Sequence, residues 1–182
     1  MIIIDNLLSN CGMKDQLTDD SWWDNIEIDE RKEKWADCKS TPSNEVEMFC
    51  LFVWRNVYKL KTEVAGWEYW ANQITDGGSM PFHTDNDLDY YATPEQEQEL
   101  VNAGVVKTAD VGFIYYCHKT LCYGGYLEIK RDNGEIERIE PKPNRLIIFD
   151  PSFQHGVSTV KHGTRRSILS NLWTNKPKKH DY

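Results

Sequence analysis

Residues 126–149 read YLEIKRDNGEIERIEPKPNRLIIF, and their punctuation sets the fold class. Tyr126 to Arg131 and Ile136 to Glu140 alternate apolar with polar side chains, and Asp132-Asn133-Gly134 stands between them. A period of two marks a half-buried strand, and Asn-Gly supplies the left-handed backbone that a tight hairpin requires. Pro141-Lys142-Pro143-Asn144 then turns the chain into Arg145 to Phe149, an apolar run of strand length. Further out, Val111 to Cys117, Gly156 to Val160 and Arg165 to Trp173 are strands by the same criteria, with Gly124-Gly125 as another turn. Several short antiparallel strands at this spacing predict a mainly β (α+β) fold, a double-stranded β-helix or jelly roll of the cupin-like kind.

The first third reads differently. Ile2 to Ile4 is a short strand, and Ser9 is placed to cap a helix running toward Leu17. The stretch from Ser21 to Lys39 has no period and is expected to be a loop with one helical turn. Thr41-Pro42 is a favoured helix start, and Val46, Phe49, Val53 and Val57 follow at helical spacing, so one face should pack on a sheet. Val64 to Ile74 alternates as a strand, and Asp76-Gly77-Gly78 turns the chain into Met80 to Asp85. Thr93-Pro94 opens a second helix that ends at Gly104, within a segment from Asn86 to Thr108 that is either a lid over a site or a surface connector. The expected organisation is a single domain over 1–182. Residues 1–63 supply an N-terminal strand and helices, and residues 64–175 form the roll with a helical insert near 93–104.

A net charge of -8 argues against binding nucleic-acid backbones as the main task. The 5 cysteines are odd in number and lack CxxC spacing, which suits reduced thiols in a cytoplasmic protein. Met1 to Asp5 has neither the basic flank nor the length of a signal or a membrane span, so no membrane association is expected. Lys176 to Lys179 is a basic tail of the usually solvated kind. Oligomeric state is not written in the sequence.

Phe82-His83-Thr84-Asp85 carries the chemistry. If it is extended, the imidazole of His83 and the carboxylate of Asp85 share a face. Joined by His155 from another strand, they form a two-histidine, one-carboxylate triad whose open positions suit a non-haem Fe(II) oxygenase. The structural alternative is a capped turn at a strand end, with Asp85 accepting backbone N–H bonds. In Arg165 to Trp173, Arg165, Ser167, Leu169 and Asn171 share one strand face, while Arg166, Ile168, Ser170 and Leu172 share the other. One arginine therefore points inward, and a buried guanidinium calls for an anion such as a carboxylate. Asp85 to Gln96 does not make a calcium loop, because Tyr90 and Gln96 stand where glycine and glutamate are needed. Asp87 and Asp89 are then solvated or meet a polar substrate. His118 and Cys122 do not fill a tetrahedral shell, and His162 and His180 read as loop and tail residues.

The ordered set His83-Thr84-Asp85, Tyr115-Tyr116, Gly124 to Leu127, Pro141 to Phe149, His155 and Arg165-Arg166-Ser167 resembles the iron- and 2-oxoglutarate-dependent dioxygenases. It is most similar to their prolyl 4-hydroxylase branch, over about residues 67 to 173. The resemblance implies that His83, Asp85 and His155 hold Fe(II), and that Arg165 binds the distal carboxylate of 2-oxoglutarate with Ser167 beside it. It implies a phenol at Tyr116 against the same carboxylate, where core packing is the competing reading. The reaction implied consumes O2 and 2-oxoglutarate, releases succinate and hydroxylates a C–H bond, and the intact Asp85 favours hydroxylation over halogenation. The substrate would be peptidyl, prolyl among the candidates, or a small molecule. Competing readings are a nucleobase-directed oxygenase and a non-catalytic, metal-binding cupin-like module, which needs no inward Arg165. Tyr115-Tyr116-Cys117-His118 departs from the Leu-Asn pair frequent in that branch.

Overall fold

The structure, a computed structural model, describes residues 1–8, 17, 33–60, 63–87, 93–117 and 120–180. Among these residues, eleven strands and two α-helices of more than one residue follow in chain order: β1 Ile2–Asp5, β2 Lys34–Asp37, α1 Glu45–Phe52, β3 Gly66–Ile74, β4 Met80–His83, α2 Pro94–Asn102, β5 Val111–Tyr116, β6 Leu121–Gly124, β7 Leu127–Lys130, β8 Ile136–Ile139, β9 Arg145–Phe149, β10 His155–Val157 and β11 Val160–Trp173. They form two antiparallel sheets. The larger runs β1-β9-β5-β11-β3-β2, with β6 also paired to β11; the smaller runs β4-β10-β7-β8. This is the expected jelly roll, with the Asn133-Gly134 hairpin joining β7 to β8 and Gly134 at φ 81°.

Strand alternation divides the apolar side chains between two cores. On β5, Phe113 and Tyr115 face α1, whereas Ile114 and Tyr116 face the smaller sheet; on β9, Leu146 and Ile148 face α1 while Ile147 and Phe149 turn inward. The outer core joins Phe49, Val53 and Trp54 from the helical segment to Trp67, Ile168 and Leu172 on the sheet. The inner core, between the sheets, is Ile114, Tyr116, Leu127, Ile129, Ile139, Ile147 and Phe149. Phe49 is wholly buried and packs on the rings of Phe113 and Tyr115. Truncating such a side chain costs about 3–5 kcal/mol.

Local signals were displaced in three places. The first helix starts at Glu45 rather than after Thr41, because Asn44 caps it by accepting from the Glu47 N–H at 2.9 Å, and the Glu47 carboxylate reaches back to the Ser43 N–H. It continues as a π-helical turn, Val53–Val57, whose Trp54 indole donates to Ser170 Oγ at 3.1 Å. The expected loop before it contains β2, where Trp35 and Ala36 pair with Glu68 and Trp67 and extend the sheet edge. The basic tail is solvated only in part: Lys176 and Lys178 are exposed, whereas Lys179 and His180 pack on the buried Glu68, whose charge draws them in. The second helix forms as expected, with a Thr93–Gln96 capping box, Pro94 in its first turn and Gly104 at φ 67°. The helix expected from Ser9 to Leu17 lies outside the described residues apart from Leu17, as does most of the loop expected from Ser21. No helix among the described residues is long and apolar enough to cross a membrane.

Candidate active site

His83 ends β4 directly opposite His155 at the start of β10, and the two ring centroids lie 4.5 Å apart. Each ring is oriented by its own strand. Nδ1 of His83 lies 2.9 Å from Pro81 O, and Nδ1 of His155 lies 2.9 Å from Phe153 O. A carbonyl only accepts, so each Nδ1 carries a proton and each Nε2 is turned toward the Asp85 carboxylate, with a proton of its own or, for a metal, a lone pair. The extended stretch stops at His83, yet Asp85 arrives on the same side. Its N–H donates to Pro151 O at 3.3 Å and its carbonyl accepts from the Ala109 N–H at 3.0 Å.

The Asp85 carboxylate then sits 3.6 Å from His83 Nε2 and 3.4 Å from His155 Nε2, and one donor atom from each residue lies within 4.8 Å of the others. Burial alone would raise the carboxyl pKa. The charge that His155 and then His83 can carry outweighs it, and with help from Asn171 the group is held well below the ordinary carboxylate range. An ionised carboxylate and two imidazole lone pairs aimed at one point call for a cation. An N2O donor set with positions left open fits Fe(II). Access is from the His83 side, where the side chain is 29% exposed against 6% for His155.

Deeper in the same interior lies Arg165, with 0% exposure. Its Nε donates to Gly125 O at 3.1 Å, Nη1 to Ser167 Oγ at 3.0 Å and Nη2 to Tyr116 Oη at 3.2 Å. The guanidinium stacks 4.9 Å from the centre of the Tyr116 ring. Gly125 is at φ 66°, and a Cβ there would come within 3.0 Å of Val160 and 3.3 Å of Arg165. All three partners are neutral, and among the described residues Arg165 has no ion pair. The fork keeps further donors beyond these bonds. A buried cation surrounded by neutral acceptors is costly until an anion arrives, which fits the distal carboxylate of 2-oxoglutarate.

The six candidate residues thus gather in one interior: His83, Asp85 and His155 near the opening, and Arg165, Ser167 and Tyr116 at its floor. Other candidates fall elsewhere. Asp87 is half-buried, and its Oδ1 accepts from the Lys107 N–H at 2.9 Å. His162 stands on β11, exposed beside Asp76. Cys122 lies near Ile74, Val157 and Val160, and His118 and Asp89 lie outside the described residues. Glu33, Glu68 and His180 also come together, but Lys179 occupies that cluster and already supplies the cation. Sequence reasoning passed over the Gly125 carbonyl, which nothing in a glycine marks. It also gave no role to Asn171, although the parity of β11 puts it on the face of Arg165.

The description "2OG-Fe(II) oxygenase superfamily" belongs to the family model that matches residues 69–174. No curated protein matches the chain by sequence. Solved structures resemble it throughout. A viral collagen prolyl hydroxylase from Paramecium bursaria Chlorella virus-1, in a 2-oxoglutarate complex, has a TM-score of 0.61 at 16% identity over 96% of both chains. A Pseudomonas putida prolyl-4-hydroxylase has a TM-score of 0.59 at 16% identity, over 97% of this chain and 87% of its own. A Trichoplax adhaerens prolyl hydroxylase, in complex with a peptide of the hypoxia inducible factor oxygen degradation domain, has a TM-score of 0.56 at 15% identity, over 100% and 86%. The catalytic family excludes the non-catalytic cupin reading. With a fold shared with prolyl 4-hydroxylases and a matching family model over most of the roll, the chain belongs to the 2-oxoglutarate- and Fe(II)-dependent oxygenase superfamily, as a dioxygenase that uses Fe(II), 2-oxoglutarate and O2.

Proposed function

We propose that His83, Asp85 and His155 hold the Fe(II), that Arg165, Tyr116 and Ser167 seat the distal carboxylate of 2-oxoglutarate, and that the enzyme hydroxylates a C–H bond of a peptidyl or small-molecule substrate. Prolyl side chains are the first to test. The observation that carries this reading is Arg165: a fully buried guanidinium with neutral partners, on the same interior as three convergent metal donors. Iron bound there would supply the oxidising chemistry, driven by decarboxylation of 2-oxoglutarate to succinate. The chain's part is orientation and exclusion of water. The carbonyls of Pro81 and Phe153 fix the two imidazoles, and Ile114, Leu127, Ile129 and Leu169 wall the space between iron site and arginine with apolar surface.

A peptide substrate is supported by the opening. Trp70 and Asn72 pair in register with Leu169 and Ser167, so they share the inner face of the sheet while remaining half-buried. A flat aromatic and an amide suit an extended backbone. The solved relatives in fold act on collagen or bind a peptide. The charge of -8 weighs against nucleobases carried in nucleic acid. We read the segment from Asn86 to Thr108 as the element that sets substrate choice, residues 1–63 as a support folded onto the 64–175 roll in one domain, and the compartment as the cytoplasm. The last point is supported by free thiols at Cys38, Cys50, Cys117 and Cys122.

The test is binding first and turnover second. Purified protein with Fe(II) should bind 2-oxoglutarate and release succinate slowly in air, and a peptide array scored by succinate release should reveal substrates that accelerate it. Full iron occupancy without 2-oxoglutarate binding would overturn the reading.

A further inference from the structure

Asn171 is 2% exposed and lies on the inner face of β11, between Gly112 on β5 and Glu68 on β3. Its amide fits there because residue 112 has no side chain: a Cβ on Gly112 would stand 2.8 Å from Asn171 Oδ1. The same Cβ would stand 3.5 Å from Cβ of Pro151, and the Pro151 carbonyl accepts the Asp85 N–H at 3.3 Å. The amide and the backbone of the metal-binding carboxylate therefore meet at one place. Asn171 Nδ2 is buried and makes no hydrogen bond, and the Asp85 backbone is held alongside this part of β11, because Ala109 N–H donates to Asp85 O at 3.0 Å while the next residue, Asp110, donates to Leu172 O at 2.9 Å. A buried amide N–H without an acceptor is rare and costly, and Asp85 is the acceptor it faces.

We propose that Asn171 is a positioning residue for Asp85: its amide holds the carboxylate oxygen that does not ligate the metal, and Gly112 is the space that admits the amide. This rests on reading His83, Asp85 and His155 as the metal ligands. A carboxylate that binds through one oxygen leaves the other in need of a donor, and such supporting bonds tune both affinity and geometry. Turned toward Asn171, the Asp85 carboxylate would offer a metal a single oxygen and leave the remaining positions to co-substrate and O2. Without that donor both oxygens are free to engage the metal and crowd those positions.

Co(II) serves as the probe, read by calorimetry and visible absorption without turnover. Wild-type protein should bind one Co(II), and Asp85→Ala should abolish it. Asn171→Ala should weaken Co(II) binding about tenfold or more and change the visible spectrum. Asn171→Leu, of nearly the same shape but lacking the N–H and adding no charge, should do at least as much. Gly112→Ala, which displaces the amide without deleting it, should reproduce the spectral change. Thermal melting establishes that each variant is folded; if Asn171→Ala is not, the near-isosteric Asn171→Leu and Gly112→Ala carry the same reading. Ile168→Val, on the outer face of the same strand, should lower the melting temperature and leave Co(II) affinity and spectrum unchanged. Folded Asn171 variants with wild-type affinity and spectrum would overturn the positioning role while the metal reading stands. Co(II) binding that survives Asp85→Ala would overturn both.

Discussion

Glu68 and Arg165 are both fully buried charges on the inner face of the larger sheet, and the chain treats them in opposite ways. Glu68 is saturated by its own protein: it accepts from the Trp173 indole at 2.9 Å, pairs with Lys179 at 2.9 Å and meets His180 Nε2 at 2.8 Å. Burial would lower the Lys179 pKa, but Glu33 and Glu68 outweigh it and hold the ammonium charged. Among the described residues, Arg165 has only a carbonyl, a hydroxyl and a phenol. A charge neutralised from within serves architecture, whereas on the proposed reading a charge kept buried with neutral company is reserved for a ligand of opposite sign.

Exchanging each charge for a neutral group should separate the two roles. The largest effect is expected from Arg165→Met, which keeps length and removes charge. The 2-oxoglutarate affinity, measured by calorimetry with Mn(II) present, should fall by about a hundredfold to a thousandfold or more, since losing one partner of a buried charge pair costs about 3–5 kcal/mol. The melting temperature of the ligand-free protein should hold or rise, because an uncompensated buried cation has gone. Glu68→Gln should do the reverse: stability in urea should fall by about 3 kcal/mol, as Lys179 loses a buried partner, with 2-oxoglutarate affinity within about twofold. The smallest effect is expected from Tyr116→Phe, which removes one neutral acceptor from Arg165 and keeps the stacked ring. Co-substrate affinity should drop a few-fold, matching a single hydrogen bond of about 1 kcal/mol. A Glu68 variant that lost 2-oxoglutarate binding, or an Arg165 variant that unfolded, would erase the distinction.

The strand pattern and the site were legible in the sequence for the same reason. Strand parity is a local property, so Arg165, Ser167 and Asn171 could be put on one face before any partner was known. His83 and Asp85 were paired by the same rule, although the strand ends at His83 and backbone bonds to Pro151 and Ala109 carry Asp85 the rest of the way. What escaped was set by tertiary company. β2 carries Trp35 amid charges and is a strand only because β3 offers an edge. β6 is four residues paired to an extension of β11, and its Leu121 and Tyr123 remain exposed, so no burial pattern marks it. Lys179 and His180 looked like solvated tail because nothing local announces that Glu68 is waiting under them. The shift of the first helix start from Thr41 to Glu45 reflects competition between two capping signals, of which Asn44 reaches the better acceptor geometry.

One feature of the fold reaches beyond a single substrate. The excursion after Asp85 is clasped at its neck by the Asn86–Thr108 bridge, by the Asp87 N–H to Lys107 O bond at 2.9 Å, and by the Ala109 N–H to Asp85 O bond at 3.0 Å. Everything beyond that clasp can be lengthened, shortened or exchanged while both ends stay anchored where they meet the ligand strand. On the proposed assignment of site and substrate-choosing segment, the neck would work as a bayonet mount: evolution, or an engineer grafting a foreign loop, could retool what the enzyme grips without realigning what it reacts with.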